Sequence, residues 1–263
     1  MLKHAPFLFC CCISAVTAQV ESETQQPFAP IKYQPPQSNL PIRRIDAGDA
    51  EGTDTTKHRG LFRGWHRGVN RGLNRGLSIE TDSGQSSASA LLSSRLVTLA
   101  PQHTGMTSNR QPRLYWYVSG ASSYPIHFNL NQQGLVEPIA QAILPPPEGE
   151  GIYTIVLADY GIYLQPDIEY EWFLTMILDE AERSSDFIAG ATLQYYQLDD
   201  KQLARQTQLP PQQRPYYYAE QGLWYDAFDS LSQLIKQQPQ STALKKLRSD
   251  LLKQVGLLRA AGE

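Results

Sequence analysis

Beyond position 12 the chain has no cysteine: its three, Cys10, Cys11 and Cys12, stand side by side near the start. A disulfide framework, a thiolate metal site and a cysteine nucleophile are therefore excluded for everything downstream. Histidine is almost as scarce. Of five, His4 falls in the leader described below and His58 and His66 in a basic repeat, which leaves His103 and His127. His103 sits in the loop "PQHTG", and His127 alternates with Ile126 and Phe128 on a strand, facing solvent. No closely spaced ligand pair supports a metal site there. Neither charge sign dominates, with 23 basic against 26 acidic residues, so any polyanion binding has to be local. No later apolar run reaches the roughly 20 residues of a transmembrane helix. Nucleophile elbows, phosphate loops and dinucleotide fingerprints are absent as well. No metal or cofactor is expected.

What is present begins with "MLKHAPFLFCCCISAVTAQV". A short positive start, an apolar core too short to span a bilayer and a small-residue stop read as a signal peptide over residues 1–18. Export without further cysteine suits a bacterial periplasm, cell surface or secreted pool. Residues 19–94 then run through a Pro/Gln-rich stretch, the acidic "DAGDAEGTD", the repeat "RGLFRGWHRGVNRGLNRGLS" and a Ser-rich stretch. Such compositions bury too little apolar surface to offset chain entropy, so the segment is expected to be an extended or disordered arm.

The repeat places Arg59, Arg63, Arg67, Arg71 and Arg75 four residues apart with no acid among them. Its glycines, each costing about 1 kcal/mol against alanine, disfavour a helix. As a strand it puts arginine and the apolar residue on one face, which suits no buried sheet. Extended, it spaces its charges by about 13 Å. Export removes the usual RNA partner of Arg-Gly repeats, so nucleic acid is not expected. Guanidinium forks suit an anionic glycan, a lipid headgroup or an acidic envelope protein. The simpler reading of the repeat is a low-complexity linker that expanded by tandem duplication.

From Arg95 the texture changes. "RLVTLAP", "RLYWYVSG", "YPIHFNLN", "PIAQAILP", "GIYTIVLADYG", "YEWFLTMILD" and "FIAGATLQYYQL" are short apolar or alternating runs broken by Gly, Pro, Asn or charge. Without intervening helices they predict an antiparallel β-sandwich over residues 95–199, of immunoglobulin or fibronectin type. "LQPDIEY" supports that type, because Tyr170 stands where a corner tyrosine bonds back to the upstream backbone. Residues 200–263 switch to helical spacing. Trp224, Ala227, Phe228, Leu231, Leu234 and Ile235 recur at three and four, and a second helix capped at Ser241 or Thr242 carries Leu244, Leu247, Leu251 and Val255. A C-terminal helical hairpin packed on the sandwich follows.

The order "PRLYWYVSG", "LQPDIEYEWFLTMILDE", "YYYAEQGLWYDAFDSLSQL", "LLKQVGL" resembles the bacterial family called domain of unknown function 928. The resemblance covers about residues 95–258, and the Trp-Tyr-Asp-Ala helix is its most specific part. It implies this two-part architecture and a basic, Gly-rich approach to the first strand, and it brings no established chemistry. Leu178, where many members have Cys, and Gln194, near an expected Arg, depart from the pattern.

Candidate chemistry is thin. "LDEAERSSD" offers Asp179, Glu180, Glu182 and Asp186, but without calcium-ligand spacing and with Arg183 in the middle, so a solvated hairpin turn is expected. Asp226 lies near a helix start, where it meets the dipole or anchors a neighbouring strand. Tyr115, Trp116 and Tyr117 alternate faces, so one face of that strand is expected outside, available to a glycan or a protein. Tyr115, Tyr117, Trp224, Tyr225 and Asp226 are thus partner-binding or structural candidates. The reading that follows is a non-enzymatic binding or scaffold protein. The alternative is a carboxylate-dependent hydrolase or carbohydrate-binding domain acting on cell-surface polymers, which requires a concave pocket with two acids or a histidine.

Overall fold

The computed structural model describes residues 28–36, 44–45, 96–181, 183, 186–257 and 260. The expected leader and the repeat with its five arginines lie outside the described residues.

The strands are β1 (Leu96–Thr98), β2 (Gly105–Thr107), β3 (Arg113–Val118), β4 (Ile126–Gln132), β5 (Ala140–Leu144), β6 (Gly151–Val156), β7 (Glu169–Met176) and β8 (Phe187–Tyr195). The helices are α1 (Asp200–Gln208), α2 (Arg214–Glu220), α3 (Trp224–Gln237) and α4 (Thr242–Gln254). Each of the seven apolar runs forms a strand. β2 is the addition: three residues with a glycine carry no periodic signal.

The strands make two sheets, one ordered β2-β8-β7-β4-β5 and one ordered β1-β3-β6. The chain is mainly β with C-terminal helices, compatible with a sandwich. One pairing departs from the all-antiparallel expectation, since β2 runs parallel to β8.

β7 shows why the core sits where it does. Tyr170, Trp172, Leu174 and Met176, two residues apart, are all buried, as one face of a strand should be. Glu169 and Glu171 keep partial access on the other face, but Phe173 and Thr175 beyond them are buried too. The Tyr170 hydroxyl accepts a hydrogen bond from Gln165 N at 2.9 Å, the corner contact expected from "LQPDIEY". β3 corrects the sequence reading. Tyr115, Trp116 and Tyr117 are all buried, because Trp116 stacks on Tyr153 of β6 at 4.7 Å while Tyr115 meets Phe228 of α3 at 5.1 Å. Both faces are covered, so neither tyrosine offers an exposed platform.

The C-terminal part holds more than a hairpin. Asp199 and Gln202 form a reciprocal capping box at α1, and Ser241 caps α4 by accepting from Leu244 N. The tyrosine-rich run becomes α2, with Tyr217 and Tyr218 buried. α3 buries the expected stripe and adds Tyr225.

Two pieces of the expected arm are packed on this domain. Ile31 and Tyr33 are buried, and residue 34 donates through its backbone to Ala219 O at 2.9 Å. Arg44 is buried as well, its Nη1 donating to Ala100 O at 2.8 Å and Val255 O at 3.1 Å. Composition averaged over residues 19–94 hides them, because one aliphatic and one aromatic side chain suffice to anchor a short segment. Ile45 pairs with Gly190 of β8. Gly190 O accepts from both Ile45 N, at 2.7 Å, and Thr98 Oγ1, at 3.3 Å. Ile45 and Thr98, which stand on either side of residues 46–95 in the sequence, thus meet at Gly190.

Candidate functional site

The apolar stripe of α3 leaves Asp226, Asp229, Ser230, Gln233 and Gln237 together on the opposite side, at helical spacings of three and four. They form one wall of a cleft of about 560 Å³, within the size range of small-ligand sites. Leu203 and Gln206 of α1, Pro211, and Arg214 and Tyr218 of α2 face them, and Ser108 and Asn109 close the end beyond β2.

Tyr225 fixes the height of this helix over the sheets. Its hydroxyl donates to Thr192 O on β8 at 3.0 Å and accepts from Trp172 Nε1 on β7 at 3.1 Å. The ring passes so close to β2 that a Cβ at Gly105 would lie 2.6 Å from it, which any larger residue would forbid. Burial holds the Tyr225 phenol well above its ordinary pKa, so it stays a neutral donor. Trp224 is anchored likewise, its Nε1 donating to Leu99 O at 2.9 Å.

With the helix fixed, its two carboxylates reach the β-domain. Asp226 accepts from Ser108 N and from Ser108 Oγ, both at 2.8 Å, one on each oxygen. Asp229 accepts from the Tyr115 hydroxyl at 2.6 Å and Gln233 Nε2 at 3.2 Å on one oxygen, and from Arg113 Nη1 at 3.2 Å on the other. All four carboxylate oxygens are engaged by donors of the chain itself. The two acids differ in charge balance. Asp229 faces the Arg113 guanidinium, whereas Asp226 has hydrogen bonds but no bonded cation. Burial raises Asp226 to about 6, against the lowering pull of the Ser108 bonds. Tyr115 is pushed up by burial and by the negative charge of Asp229.

The remaining cleft wall is less committed. Gln206 Nε2 donates to the Tyr218 hydroxyl at 2.7 Å. Arg214, which lines the cleft, donates through Nε to Leu209 O at 3.2 Å. With the amides of Gln233, Gln237 and Asn109, the wall presents groups that both donate and accept.

Of the sequence candidates, Asp226 lines the cleft and Tyr115 reaches it through Asp229. Trp224 and Tyr225 support the helix from its buried side. Tyr117 is elsewhere, its hydroxyl bonded to the Glu150 carboxylate. Arg59, Arg63, Arg67, Arg71 and Arg75 lie outside the described residues. Sequence reasoning missed Ser108, Arg113, Arg214, Asp229 and Gln233. Asp229 and Gln233 follow Asp226 at three and seven, so the polar stripe of the helix was the available signal. His127 lines a second hollow of about 390 Å³ with Phe128, Asn129, Gln141, Ala142 and Ile143. Among the described residues no group of three or more His, Cys, Asp or Glu is gathered for a metal. Arg183 and Asp186 of the acidic turn form an ion pair at 2.7 Å. No described helix is long and apolar enough to cross a membrane.

Fold and site define a two-sheet β-domain with a helical flank, braced by two aspartates beside a polar cleft. The chain belongs to the family Domain of Unknown Function (DUF928), whose model matches residues 70–263. No curated protein and no solved structure matches it. The matched region includes the cleft and excludes the packed residues 28–36 and 44–45.

Proposed function

We propose that this is an exported, non-enzymatic binding or scaffold protein of the bacterial envelope, and that the cleft along α3 is its ligand site. One observation carries the reading: the acids that would have to do chemistry are already engaged in holding α3 to the β-domain. A general acid or nucleophile needs a carboxyl oxygen directed at substrate, and here each oxygen accepts from Ser108, Arg113, Tyr115 or Gln233. Beyond these acids the cleft is lined by Arg214 and Gln237, a guanidinium and an amide that suit a polar ligand of low charge. The sandwich is of immunoglobulin or fibronectin type in this reading, supported by the Tyr170 corner bond.

A photo-crosslinking residue at Gln237 of the full chain, in intact envelopes, tests the site. It should give a discrete product that Arg214→Glu removes, with no such product from the exposed Lys245. Equal labelling from both positions would contradict the assignment.

A hydrolase acting on surface polymers is the second reading. It is favoured by the sharing of one cleft by Asp226 and Asp229 and by the raised pKa of Asp226. Polymer cleavage abolished by Asp226→Asn in a folded chain would establish it over the first. For the repeat, we propose contact with anionic glycan or lipid headgroups through Arg59, Arg63, Arg67, Arg71 and Arg75. The meeting of Ile45 and Thr98 at Gly190 supports a loop displayed by one domain over a spacer between two bodies.

A further inference from the structure

Residues 28–36 lie in a groove as a ligand would. The contacts come from several elements and form no strand ladder. Tyr33 N donates to Gln254 Oε1 at 2.9 Å, and Gln254 Nε2 donates back to Ile31 O at 3.1 Å. Gln34 N donates to Ala219 O at the end of α2, and the Tyr216 hydroxyl donates to Ala29 O, both at 2.9 Å. The Tyr33 ring stands edge-on to Trp224 at 5.1 Å, and its hydroxyl meets His103 Nε2 at 3.2 Å. The floor is shaped for this backbone. Gly222 has φ +73°, and a Cβ there would come within 2.8 Å of Gln34 O and 3.2 Å of Pro36. Pro30, Pro35 and Pro36 restrict the segment before it binds, which lowers the ordering cost.

The tether matters as much as the groove. Arg44 and Ile45 are held separately, at Ala100, Val255 and Gly190. Residues 37–43 join the two anchors and reach about 26 Å when extended. One anchor can therefore stay on its own domain while the other seats on a neighbour. Every copy carries both the segment and the groove, so the arrangement closes by two-fold symmetry. We propose that the groove formed by α2, α3 and α4 is a segment-exchange site, in which two copies pair by each seating residues 28–36 in the groove of the other. At low concentration the chain's own segment wins, because its tether holds it at an effective concentration on the order of millimolar.

Complementation between two full-length variants removes that competition. Ile31→Ser with Tyr33→Ser leaves a groove without a competent segment, and Gly222→Ala leaves a segment without a competent groove. Light scattering should show each alone as a monomer and the equimolar mixture at twice that mass. A mixture that stays at monomer mass overturns the proposal. If Gly222→Ala does not fold, a synthetic peptide of residues 28–36 added to the Ile31→Ser, Tyr33→Ser chain replaces it. Saturable binding with a raised Tm supports a groove open to a segment in trans, and no shift at millimolar peptide overturns it.

Discussion

The two faces of α3 are built from the same fourteen-residue helix and hold to the rest of the chain by different physics. The buried face uses bulk: Trp224, Tyr225, Phe228 and Leu231 fill space between helix and sheets, each hydrogen-bonding group among them spoken for. The cleft face uses polar latches, with Asp226 on Ser108 and Asp229 on Arg113 and Tyr115. Dispersion and apolar burial tolerate no gap but set direction weakly. Hydrogen bonds of about 2.8 Å set direction closely and add little net stability each. The buried face therefore determines whether the helix stays, and the latches determine how the cleft stands open.

Tyr225→Ala should produce the largest loss, about 4 kcal/mol in chemical denaturation. It empties a buried site beside Gly105 and strands Trp172 Nε1. Tyr225→Phe should cost about 1–2 kcal/mol, separating ring from hydroxyl. On the cleft face, Asp229→Ala should cost about 1–3 kcal/mol by leaving the Tyr115 hydroxyl proton without its acceptor, although Gln233 Nε2 still donates to that oxygen at 3.3 Å. The Arg113 ion pair adds little to that, because its side chain is 40 % exposed. A loss from Asp229→Ala as large as that from Tyr225→Ala would erase the distinction between the faces.

Asp226 sharpens the comparison through pH. Its folded pKa of about 6 lies above the ordinary 3.8, so the neutral form is favoured by folding. That stability is fully present below about pH 3.8 and is lost as pH rises through about 6. Between pH 7 and pH 5, unfolding of the wild type relative to Asp226→Asn should therefore shift toward the wild type by about 1 kcal/mol. The lowered pKa of His103, caused by its burial, gives the opposite slope, but it is common to both chains and cancels.

How far the sequence could lead is visible on the same helix. Its apolar stripe was legible because burial repeats at three and four, and the strands of the seven apolar runs because alternation or continuous apolarity marks them. β2 was not legible, since three residues around a glycine carry no period and owe their place to β8. Nor were Ser108 and Arg113, whose roles depend on contacts with residues more than a hundred positions away. The tyrosines of β3 misled because alternation reports two faces without saying that both are covered. Ile31, Tyr33 and Arg44 were hidden in a segment whose average composition argued against packing.

The smallest effects on stability should come where the proposed function is greatest. Gln237→Ala should change stability by less than about 0.5 kcal/mol while removing ligand contact on the cleft wall. Deleting residues 57–77 should also leave Tm nearly unchanged, because the ends meet at Gly190 and loop length costs little. It should abolish salt-sensitive retention on anionic vesicles. Retention unaffected by that deletion would remove the repeat from the binding account.

The central claim, that the cleft acids are latches, is tested most directly by a double-mutant cycle on Ser108→Ala and Asp226→Ala, read by denaturant unfolding at pH 7. The account predicts a coupling of about 1–2 kcal/mol, because each substitution removes the partner of the other. Additive losses, with coupling near zero, would contradict it.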